Sequence, residues 1–288
     1  MMKQAGYNGA SKRESFYKIK KHLGILNRQI GFPKELKRIQ SIKDTSLQAI
    51  LKAYLMVKKQ DFSQEDQLVF SRQESYRNSL RVDMTPISYS VFGSEKEVTV
   101  SQICERSPSP KIWAQFLYTL CKQLGSRSIL EIGTNLGISG GYILEALEDQ
   151  ASKPGSFLSM EGLPQLCELA QKHFSLISSK FEVIEGLYSK SIPELLARDL
   201  SFDLFFIDGN HQKGPTISYF HSFKQKARYP TVFIFDDINH SRSMKEAWLV
   251  IKSDGAVSYS IDLFKMGIVV LNGNTPNQRH DFKLFLAY

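Results

Sequence analysis

Cysteine is scarce in this chain and nowhere paired: Cys104, Cys121 and Cys167 are the only three among 288 residues. The number is odd, no two lie close together, and the spacing is not that of a zinc site. This points away from a disulfide-stapled secreted domain and toward reduced, partly buried thiols in a cytoplasmic protein. Long apolar runs are missing too. None reaches the roughly 18–20 residues that cross a bilayer, so no transmembrane segment is expected. The opening MMKQAGYNGASKRES lacks the continuous apolar stretch of a secretory signal. No repeat, low-complexity tract or G-K-[ST] phosphate loop occurs, which removes solenoids and P-loop nucleotidases.

What is present suits a globular protein. Hydrophobic residues make up 42% of the chain, enough for a sizeable core. The net charge of +8 is uneven. Residues 1–60 hold 14 Lys/Arg against 3 Asp/Glu, a net of +11, and the remainder is net −3. Such a basic segment serves either as an arm for nucleic acid, anionic lipid or another acidic partner, or as a solvated helical surface. The charges alternate with apolar residues, which favours the solvated surface.

Periodicity divides the chain. Residues 1–30 read as weakly structured or loosely helical, with Phe32-Pro33 as punctuation. Helices are expected over 46–58 and 63–81, the second opening at Ser63 with Glu65 and Asp66 in its first turn. A short strand or loop surrounds Phe92-Gly93, and further helices follow near 99–106 and 110–124, the latter capped by Gly125. Short apolar strands then alternate with helices. The strands fall at 128–132, 156–160, 181–185, 203–207 and 231–235, and the helices at 137–149, 164–176, 191–199 and 214–227. This rhythm predicts a parallel sheet covered on both faces. Ser243 and Glu246 have capping-box spacing and open a helix to about 252. Two strands, 257–263 and 266–271, close the pattern as an antiparallel pair.

The chemistry gathers at strand ends. The first strand runs through Glu131 and Ile132 into Gly133-Thr134-Asn135-Leu136-Gly137-Ile138-Ser139 and then a helix. Glycine there permits positive φ and close approach of a ligand. Asn135 stands where a dinucleotide fingerprint requires glycine. Glu161 ends the second strand, where a carboxylate can take both hydroxyls of a ribose. The third strand turns at Gly186-Leu187. The fourth delivers Asp208-Gly209-Asn210-His211, and the fifth Asp236-Asp237-Ile238-Asn239-His240. Three carboxylates at one rim repel unless a cation sits among them, and oxygen ligands of this kind suit Mg²⁺, Ca²⁺ or Mn²⁺. Plain turns and helix openings also use these residue types.

The pattern E-x-G-x-x-x-G over Glu131, Gly133 and Gly137 resembles motif I of the class I S-adenosylmethionine-dependent methyltransferases. The acids after strands four and five resemble those of catechol and caffeoyl-coenzyme A O-methyltransferases. The helix segment from Arg72 to Leu80, Phe92-Gly93 and the stretch from Asp236 to Trp248 are similar to related bacterial methyltransferases, so the resemblance covers roughly 65–272. It implies an α/β, doubly wound, mostly parallel seven-stranded sheet of Rossmann-like methyltransferase type, with an N-terminal helical extension. Residues 1–60 would be a basic, partly helical or flexible extension, 61–125 a helical cap on the substrate side, and 126–288 the cofactor-binding domain.

By the same resemblance S-adenosylmethionine is held by Glu131, Gly133, Thr134, Asn135, Gly137, Ser139, Glu161, Gly186, Leu187 and Asp208. Asp208, Asp236 and Asp237 would hold Mg²⁺ or another divalent cation, although the family usually has Asn at the position of Asp237. His211 stands where the family carries a catalytic lysine, and could take a proton near neutral pH beside Asp208. The expected reaction is methyl transfer to an oxygen of a small-molecule acceptor, in a protein that forms homodimers. The rival readings are an RNA methyltransferase gripping phosphates with the basic arm, a non-catalytic cofactor-binding protein, and a nicotinamide oxidoreductase.

Overall fold

Apolar side chains at helical spacing make the first part of the chain helical. The computed structural model describes residues 7–149, 155–274, 276 and 278–287. Helix α1 (Tyr7–Gln40) runs through Pro33, contrary to the expected break at Phe32-Pro33. A proline inside a helix costs about 3 kcal/mol. Here Phe32, Leu36 and Ile39 all pack into the core, so the chain is anchored on both sides of the ring. Residues 1–6 of the loosely helical start lie outside the described residues. Helix α2 (Thr45–Lys59) begins at Asp44, whose carboxylate accepts from Leu47 N. Helix α3 (Gln64–Leu80) begins at Ser63 with a reciprocal capping box to Asp66.

Strands β1 (Pro86–Ser88) and β2 (Glu97–Thr99) then pair antiparallel around the Phe92-Gly93 loop. Helix α4 (Val100–Arg106) follows, and α5 (Lys111–Leu124) ends at Gly125 with φ 64°. Helix α5 packs against α2, and its Trp113, Phe116, Leu117 and Leu120 belong to the same core as the sheet. The N-terminal segments are therefore built onto the main body.

The central strands are β3 (Ser128–Ile132), β4 (Ser156–Glu161), β5 (Phe181–Glu185), β6 (Phe202–Ile207) and β7 (Ala227–Phe235), all parallel. Period-two alternation sets their two faces. Leu204 and Phe206 of β6, with Val232 and Ile234 of β7, join the layer containing α2 and α5. Phe205, Ile207, Phe233 and Phe235 join the opposite layer, where the Phe205 and Phe233 rings stack at 4.2 Å between centroids. The crossovers are α6 (Ile138–Glu148), α7 (Pro164–Phe174), α8 (Tyr188–Ala197) and α9 (Lys213–Lys224).

Helix α10 (Arg242–Lys252) leads to β8 (Tyr259–Asp262), β9 (Gly267–Leu271) and β10 (His280–Lys283). Among the described residues the main sheet has eight strands, ordered β10-β8-β9-β7-β6-β3-β4-β5, one more than the seven expected. The addition is β10, parallel to β8 at the edge. Its four residues are too few to show periodicity, but Phe282 is buried. Only β9 opposes its neighbours. The cap of α10 is also corrected: Ser241 accepts from Met244 N, while Ser243 accepts from Lys213 N and Glu246 pairs with Lys213 and Arg242.

Arg28 fastens α1 to this edge. Its guanidinium donates to both carboxylate oxygens of Asp262, at 2.8 and 2.9 Å, and to the Leu284 carbonyl at 3.0 Å. Both side chains are largely buried, so losing one partner strands the other. Arg28→Ala is expected to lower the unfolding free energy by about 3 kcal/mol in urea denaturation. A loss under about 0.5 kcal/mol would show that α1 docks without this pair.

Candidate functional site

The strand order reverses around β3, which has β4 on one side and β6 on the other. In open parallel sheets ligands bind beyond the carboxyl ends at such a point. The turn after β3 has positive φ at Gly133 (99°), Asn135 (49°) and Gly137 (75°). A Cβ on residue 133 would stand 2.4 Å from the Asp208 carbonyl oxygen. Only glycine allows this contact, which sets the turn directly against the end of β6. Gly137 is the N-cap of α6, so the free N–H groups of that helix begin at the rim.

Glu131 lies behind this turn, fully buried, and does not line open space. Register places it opposite Ser159 of β4. Ser139 Oγ donates to one carboxylate oxygen and Ser159 Oγ to the other, each at 2.6 Å. The Thr134 and Ser159 hydroxyls are hydrogen-bonded in turn. Burial pushes the Glu131 carboxyl up to about 7, against the pull of the two serines. Glu131 thus braces the turn from beneath.

Glu161 ends β4 and is 8% exposed. One carboxylate oxygen accepts from Gly162 N (2.7 Å) and Leu163 N (3.0 Å), the other from Asn135 N (2.9 Å). Burial raises its pKa and these N–H groups oppose the rise. Gly186, at φ 142°, donates its N–H to the Glu161 carbonyl and so fixes the β5–α8 turn beside it.

Two cavities adjoin here. The polar one, about 400 Å³, has Gly133, Thr134, Asn135 and Ser139 on one wall and Asp208, His211, Asp237 and His240 on another. The end of α4 adds Arg106, and the loop after it adds Ser109, whose buried hydroxyl has no hydrogen-bond partner among the described residues. The second cavity, about 740 Å³, is lined by Leu187, Ile192, Pro193, Leu196 and Phe92 among others. Glu161 and Tyr188 line both. Of the residues named from sequence, Glu131, Gly137, Gly186 and Asp236 stand outside the cavity walls, and the rest line one or both.

Asp208 ends β6, and His211 folds back over it through a left-handed backbone (φ 30°), with Nε2 3.5 Å from Asp208 Oδ1. Burial, and then the neighbouring Asp236 charge, hold the Asp208 carboxyl well above the ordinary carboxylate range. The third expected participant is different. Lys265, in the turn between β8 and β9, places Nζ 2.5 Å from Asp236 Oδ2 and 2.8 Å from Asp237 Oδ1. Burial opposes its charge, but the two carboxylates keep its pKa raised. Among the described residues no group of three or more His, Cys, Asp or Glu is arranged to hold a metal. The set Asp208, Asp236 and Asp237 therefore does not fit the expected divalent ion: an ammonium already lies between two of its members.

Sequence reading missed Lys265, Tyr188 and the Arg106–Ser109 loop. Lys265 is 28 residues from Asp237 and has no local signature. Tyr188 directly follows the Gly186-Leu187 turn, and that position is the one sequence signal for its ring at the wall.

Glu131 carries a pH test. A carboxyl raised on folding favours the folded state while protonated, so its stabilisation is complete below about 4.5 and is lost as pH rises toward about 7. Glu131→Gln, which keeps a hydrogen-bonding side chain between the two serines, should be more stable relative to wild type at pH 8 than at pH 4.5. Paired urea titrations measure this, and an equal difference at both pH values would contradict it.

Residues 130–238 match the family model described as a methyltransferase domain. No curated protein matches the chain. Similar solved structures include cofactor-bound Rv0187 from MTB, 20% identical over 59% of this chain and 84% of that one, with a TM-score of 0.51. A Klebsiella pneumoniae protein assigned as an O-methyltransferase is 17% identical over 71% and 90%, with a TM-score of 0.51. The SAH-bound methyltransferase PaMTH1 of Podospora anserina is 15% identical over 74% and 97%, also at 0.51. The doubly wound, mostly parallel sheet is the Rossmann-like fold of these methyltransferase structures.

Proposed function

We propose that this methyltransferase domain moves the methyl group of S-adenosylmethionine to an oxygen of a small-molecule acceptor. One observation carries the reading: the glycine turn, Glu161 and Asp208 meet in one polar cavity that continues, past Glu161 and Tyr188, into an apolar one. A cofactor with an amino acid at one end and an adenine at the other suits that division. Gly133, Thr134, Asn135 and Ser139, with Asp208, would hold the methionine end. Gly137 starts the helix there, and Glu131 braces the turn. Glu161 would take the ribose hydroxyls, and Gly186 and Leu187 would border the adenine.

When bound, S-adenosylmethionine supplies a methyl group on a sulfonium centre. The chain's own work is to align, to exclude water and to remove a proton. Holding both reactants in line is worth roughly 7–11 kcal/mol. His211 would take the acceptor hydroxyl proton on Nδ1, the ring nitrogen turned away from Asp208, with Asp208 beside Nε2 orienting the ring and stabilising the imidazolium. No metal is assigned a part, because Lys265 engages Asp236 and Asp237. Segment 61–125 would serve the acceptor side, since it contributes Phe92, Arg106 and Ser109 to the walls. An RNA acceptor is less well supported, as Arg28 and Arg38 of α1 are engaged by Asp262 and Glu35. The buried, free cysteines accord with a cytoplasmic setting.

The test is transfer of a labelled methyl group from S-adenosylmethionine to a panel of phenolic acceptors by wild type and His211→Gln. The variant is expected to lose about 10²–10⁴ in kcat while its affinity for the cofactor stays the same. An unchanged kcat would remove His211 from the reaction, and no transfer to any hydroxyl acceptor would count against the oxygen assignment.

A further inference from the structure

The carboxylates at the ends of β6 and β7 carry negative charge into a nearly dry place. Asp236 is 4% exposed, and its Oδ1 has no hydrogen-bond partner among the described residues. Clustered anions of this kind need a cation. The chain brings one from the β8–β9 turn, and that turn is tied to the loop after β7 at several points. Ile238 N donates to the Lys265 carbonyl at 3.0 Å, and Asn239 Nδ2 donates to the Phe264 carbonyl at 2.7 Å. Lys265 Nζ then reaches one oxygen of Asp236 and one of Asp237. Backbone and amide bonds that do not involve the ammonium thus hold the turn carrying the lysine, and its side chain is only 16% exposed.

We infer that the Lys265 ammonium takes the place a divalent metal ion would hold among Asp208, Asp236 and Asp237, so that this rim works without a metal. The ammonium offsets one of the two charges of the Asp236–Asp237 pair and keeps Asp237 in its left-handed turn (φ 52°) at the cavity wall, with Asp208 set between Asp236 and His211. Lys265 does not line either cavity, so it is a positioning residue. Divalent ions bind such acids through short contacts of about 2.0–2.6 Å to several oxygens at once. A hydrogen-bonded ammonium on two of them blocks that closure. The inference deepens the proposed function at the same rim, but its test needs neither cofactor nor acceptor.

The probe is Mn²⁺ alone, followed by calorimetry and by the electron paramagnetic resonance signal of the free ion, on wild type, Lys265→Ala and Lys265→Arg. Wild type and Lys265→Arg are expected to leave millimolar Mn²⁺ free. Lys265→Ala, with three acids and no counter-charge, is expected to bind it at least tenfold more tightly, with a rise in melting temperature on adding the ion. Should Lys265→Ala fail to fold, Lys265→Gln replaces it, since its amide still donates to Asp236 without charge. Wild-type binding as tight as the variant's would overturn the inference. So would a folded, uncharged variant that binds no Mn²⁺. Failure to bind S-adenosylmethionine would strike the proposed function and leave this result as it stands.

Discussion

Four adjacent parallel strands bring carboxylates to the rim of the sheet, where water has limited access, and each acid must find a partner inside the protein. Taking an anion out of water costs several kcal/mol unless hydrogen bonds or a cation compensate. The molecule answers differently at each strand. Glu131 has two serine hydroxyls, Glu161 three backbone N–H groups, and Asp236 the ammonium of Lys265. Asp208 has His211 at 3.5 Å, the loosest of these arrangements. A cationic ligand therefore gains most beside Asp208, and that is where the polar cavity opens.

The backbone follows from these needs. The turn after β3 crosses into left-handed φ so that Asn135 N can reach Glu161 and Ser139 can reach Glu131. Residue 133 has to be glycine because the end of β6 is in contact with it. The β5–α8 turn is drawn in by the Glu161 carbonyl. What looks like a ligand cradle is also the means by which buried acids are satisfied. The same bonds hold the cavity in shape before any ligand arrives, which limits the ordering cost of binding.

Much of this was legible in the sequence because it is local. β3 and β5 fall where apolar runs place them, and the turn after β3 shows itself through glycines within a few residues. Glu161 and Asp208 stand at strand ends that the pattern marks directly. Features that depend on distant partners were not legible. Helix α1 passes Pro33 because Phe32, Leu36 and Ile39 meet a core assembled from the rest of the chain. Strand β10 exists through pairing with β8, and Phe282 alone of its residues is buried. Ser241 rather than Ser243 caps α10 because Ser243 is occupied by Lys213 N. Lys265 belongs with these: three acids in the sequence ask for a cation, but nothing nearby says that the chain supplies it.

Binding of S-adenosylmethionine at this rim is open to calorimetric titration of wild type and Glu161→Ala. Micromolar binding by wild type, weakened about 10–100-fold in a variant whose circular dichroism is unchanged, is the result expected for the loss of charge-assisted hydrogen bonds to a ribose. No binding by folded wild type would remove S-adenosylmethionine from this rim, and equal binding by the variant would remove Glu161 from its site.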